Sequence, residues 1–106
     1  MKDFKLSESG ARGWFVGDFA EAVFRTKDFE VGLQTNPRSH CPSHYHSDII
    51  EITLIVSGKV LTNGKLYGAG EGYILYPTEI SQLEYLEETT LITIKTPSIP
   101  TDKHLL

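Results

Sequence analysis

Cysteine is almost absent from this chain: Cys41 is the only one in 106 residues. No disulfide within the chain can brace the fold, and no zinc site built from several thiolates can form. A lone thiol suits a reducing compartment. No apolar stretch approaches the ~18 residues of a membrane span, and residues 1 to 8 lack the apolar core and small-residue cleavage site of a secretory leader. The expected location is therefore cytoplasmic, with no membrane partner. Basic runs are missing too. The net charge is −4 and the pI about 5.5, the wrong sign for a protein that neutralises phosphates, so no nucleic-acid partner is expected. Repeats and low-complexity tracts are also lacking, which excludes a solenoid.

What is present is a period of two. Phe29, Val31 and Leu33 alternate with Glu30, Gly32 and Gln34, the pattern of a half-buried strand. Ile50, Ile52, Leu54 and Val56 alternate with Glu51, Thr53 and Ile55 in a longer, β-branched run. Tyr73 to Tyr76, Gln82 to Tyr85 and Leu91 to Ile94 read as further strands, and Pro77 ends one of them because it has no N–H for a ladder. Asp18 to Arg25 fits either a strand or a short helix. Asn63-Gly64 reads as a two-residue type I′ hairpin, since both residues tolerate positive φ. Its register pairs Thr62 with Lys65, Leu61 with Leu66 and Val60 with Tyr67. Seven to nine short strands with tight turns predict one all-β domain over residues 1–106, an antiparallel sandwich or barrel. The Pro97-Ser98-Ile99-Pro100 segment cannot lie in a central strand; it wraps the domain or reaches a neighbour.

Chemistry concentrates between residues 44 and 58. On a strand, His44 and His46 project to the same side, roughly 7 Å apart along the chain. Glu51 has the opposite parity, but a reversal at Ser47-Asp48 would bring it across from both imidazoles. Two neutral imidazoles and one carboxylate leave coordination positions open on a divalent ion. Two histidines on an exposed strand would look the same in isolation. The β-branched strand from Glu51 to Gly58 strengthens the metal reading. His40 lies too far along the chain to join without a sharp bend at Pro42, and His104 has no assigned role. Tyr45 alternates away from the two histidines. Arg12, Arg25 and Arg38 fit either an acidic ligand or an ordinary surface. Cys41 reads as a small buried residue, and most of Tyr67, Tyr73, Tyr76 and Tyr85 as core.

His44-x-His46, four residues, Glu51, six residues, Gly58 resembles the first conserved motif of the cupins. The glycine expected upstream falls at Arg38 and is missing. The second cupin motif is partly present in Gly70-Glu71-Gly72-Tyr73-Ile74-Leu75-Tyr76-Pro77, with the proline displaced by one place. Its histidine, usually the fourth metal ligand, should fall at Ser81 or Gln82. The resemblance implies a small antiparallel β-barrel or jelly roll of cupin type. It implies a divalent metal ion (Fe, Mn, Ni or Zn) on His44, His46 and Glu51, with Gln82, or Ser81, at the fourth position. It also implies a homodimer, for which the Trp14-Phe15 pair and the proline-bearing tail are candidate contacts. Cupins span dioxygenases, isomerases, storage proteins and sugar-binding modules, so fold does not choose the reaction. Two readings stay open. One is a metal-dependent protein acting on a small polar metabolite such as a sugar or sugar acid, as a dioxygenase or isomerase would. The other is a non-catalytic small-molecule or sugar-binding module, with or without metal.

Overall fold

The computed structural model describes residues 1–106 and bears out the all-β reading. The only helical element is a single turn of 3-10 helix, Leu6–Glu8. Twelve strands follow: β1 (Trp14–Gly17), β2 (Phe24–Arg25), β3 (Glu30–Asn36), β4 (Ser39–His40), β5 (His44–Tyr45) and β6 (Ile50–Ser57), then β7 (Lys59–Thr62), β8 (Lys65–Gly68), β9 (Gly72–Leu75), β10 (Leu83–Tyr85), β11 (Thr89–Thr96) and β12 (His104–Leu105). They exceed the expected number because several have only two residues. The ambiguous Asp18–Arg25 stretch is a turn leading into β2 and contains no helix.

Three sheets form: a large one in the order β2-β1-β3-β11-β6-β9, a smaller one in the order β4-β10-β7-β8, and the ribbon β12-β5. All pairings are antiparallel except β1 with β2. The strands do not close into a continuous barrel. The result is jelly-roll-like, with the two larger sheets enclosing an interior. The hairpin between β7 and β8 has the expected register, and Asn63 and Gly64 take φ of 50° and 80°.

The parity of β6 was not anticipated. Apolar periodicity pointed Ile52, Leu54 and Val56 at the core, yet they are 36%, 43% and 47% exposed. The inward residues are Glu51, Thr53 and Ile55, and β11 turns Lys95, Thr93 and Leu91 inward beside them. Three interior rows cross the large sheet. Ile55 and Leu91 form an apolar row, Thr53 and Thr93 with Tyr73 of β9 a hydroxyl row, and Glu51, Lys95 and Glu30 of β3 a charged row. The compact hydrophobic core is confined to the apolar end, where Ile55, Val60, Tyr85 and Leu91 meet. An interior that turns charged at the other end contributes little to stability, because buried charges cost free energy unless they are matched. It is the lining of a cavity.

Trp14 belongs to this interior. Its ring stands over Gly32, where a Cβ would come within 2.8 Å of it. Glycine is what permits that approach. Phe15 turns outward and stacks on Phe4 at 5.8 Å.

Candidate metal centre

Between the sheets lies a cavity of about 750 Å³ lined by Glu30, His44, Glu51, Tyr73, Ser81 and Lys95, among others. His44 enters from β5, His46 from the residue after it, and Glu51 from β6. A bend at Ser47-Asp48 separates β5 from β6, and the carboxylate of opposite parity arrives on the same side as the two imidazoles. One nitrogen of each histidine and one Glu51 oxygen all lie within 4.8 Å of one another. Ligand atoms about 2.1 Å from one ion stand at most about 4.2 Å apart, so modest side-chain rotation would close the set.

The surroundings suit that role. His44 Nδ1 lies 3.3 Å from the carbonyl oxygen of Pro42. A proton on Nδ1 donated there leaves the Nε2 lone pair free, the orientation typical of a metal-ligating histidine. His46 Nε2 and Glu51 Oε2 are buried with no hydrogen-bond partner. Burial holds the His46 proton affinity down to about 4, with Lys95 adding to the effect. His44 is lowered by burial as well. Both rings are thus neutral at physiological pH, which is the ligating form. The 3.5 Å approach of His46 Nδ1 to Glu51 Oε2 is therefore not an ion pair at that pH. Burial also pushes the Glu51 carboxyl up, despite the nearby Lys95 and Lys103 cations. A carboxylate with an orphaned oxygen beside two neutral imidazoles, one with an orphaned nitrogen, is a donor set that fits a divalent cation.

The fourth position needs a correction. Ser81 and His44 exchange backbone hydrogen bonds, His44 N to Ser81 O at 3.3 Å and Ser81 N to His44 O at 2.8 Å. Residues directly opposite in an antiparallel bridge share a face, so Ser81 is buried in the cavity beside His44. Gln82 has the opposite parity. It is exposed and borders a separate small hollow with His40 and Gly64. Gln82 is not placed at the candidate metal site.

Other candidates distribute as follows. His40 is exposed and approaches Glu84 at 3.5 Å, away from the centre. Arg25 pairs with Asp18, while Arg12 lines the cavity. Cys41 packs against the apolar core, and burial raises its thiol proton affinity, opposite to what a reactive nucleophile needs. His104, left without a role by the sequence, takes part in a clasp. Its Nε2 lies 2.9 Å from Asp102 Oδ1 and 3.0 Å from Ser47 Oγ, and its ring lies against Tyr45 at 5.0 Å. Asp102 is buried and accepts the Ser47 and Asp48 backbone N–H groups at 2.9 Å each. The tail therefore grips the bend between the histidines and Glu51. Lys95 and Glu30 were also missed: Glu30 sits on β3, whose polar residues were read as facing solvent, and Lys95 falls just beyond the Leu91 to Ile94 run read as a strand.

No family model and no curated protein matches this sequence. Solved structures do. An uncharacterised conserved protein with a double-stranded beta-helix domain from Klebsiella pneumoniae superposes with a TM-score of 0.71 at 19% identity, covering 98% of this chain and 90% of that one. An RmlC-like cupin family protein with a double-stranded beta-helix fold from Methanocaldococcus jannaschii gives 0.59 at 18% identity, over 69% of this chain and 73% of that one. The chain has the cupin fold. A third structural neighbour is the DMSP lyase DddQ from Ruegeria pomeroyi, with a TM-score of 0.71 at 17% identity, covering 97% of this chain and 59% of that one. At these identities the likeness extends to the fold alone.

Proposed function

We propose that this cupin binds one divalent metal ion through His44, His46 and Glu51 and acts at it on a small polar metabolite. The observation that carries the reading is the buried convergence of three donors within 4.8 Å, two of them with an orphaned atom. Held by two imidazoles and one carboxylate, an ion of the Fe, Mn, Ni or Zn type supplies Lewis acidity at its open positions. The chain's own residues supply the rest. Ser81 places a hydroxyl beside His44, and Thr53, Thr93 and Tyr73 line the path to the apolar end. Hydroxyls, carboxylates and a lysine make a lining for an oxygen-rich ligand, and one structural neighbour, a DMSP lyase by name, is an enzyme acting on a small molecule. Elemental analysis of protein purified without a metal-affinity tag tests the reading. One ion per chain is expected in the wild type and none in the His44→Ala/His46→Ala variant; a metal content unchanged by the double substitution would overturn it.

The partner most compatible with the outer surface is a second copy of the chain. Ile52, Leu54 and Val56 of β6 and Ile74 of β9 are exposed on one face of the large sheet, with Ile92 and Ile94 of β11 in register beside them. No charged residue interrupts this patch. An uncharged apolar face is compatible with its own copy about a two-fold axis, which is how most homodimers form. This surface replaces Trp14 as the expected contact, since Trp14 faces inward.

A further inference from the structure

The charged interior row is not explained by metal binding. In β3, β11 and β6 the register places Glu30, Lys95 and Glu51 side by side. Neighbouring strands lie about 4.8 Å apart, so Lys95 stands one strand from the candidate metal ligand Glu51 and one strand from Glu30. Despite these neighbours, Lys95 takes part in none of the molecule's ion pairs. Its Nζ lies over the Trp14 ring, 4.8 Å from the centroid, which fixes the ammonium without using its three N–H donors. Glu30 is only 4% exposed, and its Oε1 has no hydrogen-bond partner. A half-buried cation with free donors and a buried carboxylate with a free acceptor thus line one cavity together with His44 and Glu51.

The charge of the lining points the same way. Arg12, Lys95 and Lys103 balance Glu21, Glu30 and Glu51 around the cavity. A divalent ion, on the reading proposed above, would leave that enclosure positive and favour an anionic occupant. Arg12 and Lys103 are exposed at the rim, whereas Lys95 is set into the sheet. We propose that Lys95 is the specificity-determining cation of the cavity, binding the carboxylate of a small hydroxy acid while Glu30 accepts a hydrogen bond from a hydroxyl of the same ligand. Lys95 and Glu30 stand about one strand spacing apart, roughly 5 Å, which a three-carbon hydroxy acid spans, and Glu51 and Glu30 about two, roughly 10 Å, which an extended six-carbon acid approaches.

Calorimetric titration with glycerate and gluconate, against their neutral counterparts glycerol and sorbitol, tests the assignment. The acids should bind the wild type, and Lys95→Met should weaken both at least tenfold while leaving the polyols unchanged. Lys95→Arg should restore most of the loss, because it returns the charge. Should the methionine variant not fold, Lys95→Gln, which keeps a polar end, takes its place. Metal content is measured on every variant, and the titration is repeated on metal-stripped protein. Loss of acid binding in Lys95→Met at unchanged metal content supports the proposal. The same loss in stripped protein supports it even if the wild type carries no metal, which would sink only the reading of the metal site. Acids that bind Lys95→Met as tightly as the wild type, or that do not bind the wild type at all, overturn it.

Discussion

At the scale of single residues, parity decides the chemistry. Ser81 and Gln82 are neighbours, yet one faces the cavity and the other the solvent, because the bridge with His44 sets which side each occupies. Introducing histidine at each place separates them. Ser81→His should tighten metal binding by about tenfold or more, the scale on which single groups around a metal site act. Gln82→His should leave it unchanged. Competition against a metal-sensitive dye reads both variants, and equal effects would show that parity here is not as described. Asn63 illustrates a residue with a second role. Besides allowing the hairpin turn, its Nδ2 donates to Ile80 O at 2.9 Å and its Oδ1 accepts from Gln82 N at 2.8 Å. The turn thereby holds Ser81 in place from both sides. Asn63→Gly, which keeps the turn conformation and removes the amide, should cost about 1 kcal/mol in urea unfolding and weaken metal binding.

At the scale of elements, the tail clasp is the feature with the clearest consequences. Burial pushes the Asp102 carboxyl up, but hydrogen bonds from the Asp48 and Ser47 backbones and from His104 outweigh it and hold the group down to about 2. A carboxyl whose proton affinity is depressed on folding stabilises the fold above its unfolded value, near 3.8, and that contribution fades as pH falls toward about 2. The clasp should therefore be intact at neutral pH and release only in strong acid. Asp102→Ala leaves two backbone N–H groups near Ser47 without their acceptor, a loss of about 1–3 kcal/mol for buried donors. That variant should melt earlier at pH 7, lose part of the acid dependence between about 4 and 2, and bind metal more weakly. Thermal melts across pH, with metal content alongside, read all three. The sequence showed that Pro97 and Pro100 keep this segment out of a central strand. It could not show that β12 pairs with β5, because two-residue strands carry no periodicity.

At the scale of the whole molecule, the distribution of apolar surface is the open account. Placing polar residues on the inner face of β6 and β11 forces their apolar partners outward, and Ile52, Leu54, Val56 and Ile74 are left exposed together. An apolar patch of this extent on a solvated face is unusual for a monomer. Leu54→Lys places a charge at its centre and should convert a dimer to a monomer in sedimentation velocity without changing the metal content. A wild type that sediments as a monomer at about 50 µM, a concentration at which even micromolar self-association is visible, would count against the dimer.

Local spacing was enough to indicate the class of the fold and the β7–β8 hairpin with its register, and to nominate His44, His46 and Glu51 as a group. Those features depend on residues close together in the chain. A type I′ turn needs only two residues tolerant of positive φ, and His-x-His, a bend and Glu51 need only eight. The side of each strand that faces inward is different, because alternation has two faces and its phase is set by strands far away in sequence. Ile52, Leu54 and Val56 carry the apolar phase of β6, and only pairing with β11 and β9 reveals that this phase lies outside. The same long-range pairing brings Lys95 and Glu30 beside Glu51, places Ser81 rather than Gln82 opposite His44, and sets Asp102 and His104 against Ser47. Hydrophobic periodicity assumes that the buried face is the oily one. In this protein the buried face surrounds a polar cavity, and tertiary structure alone decided it.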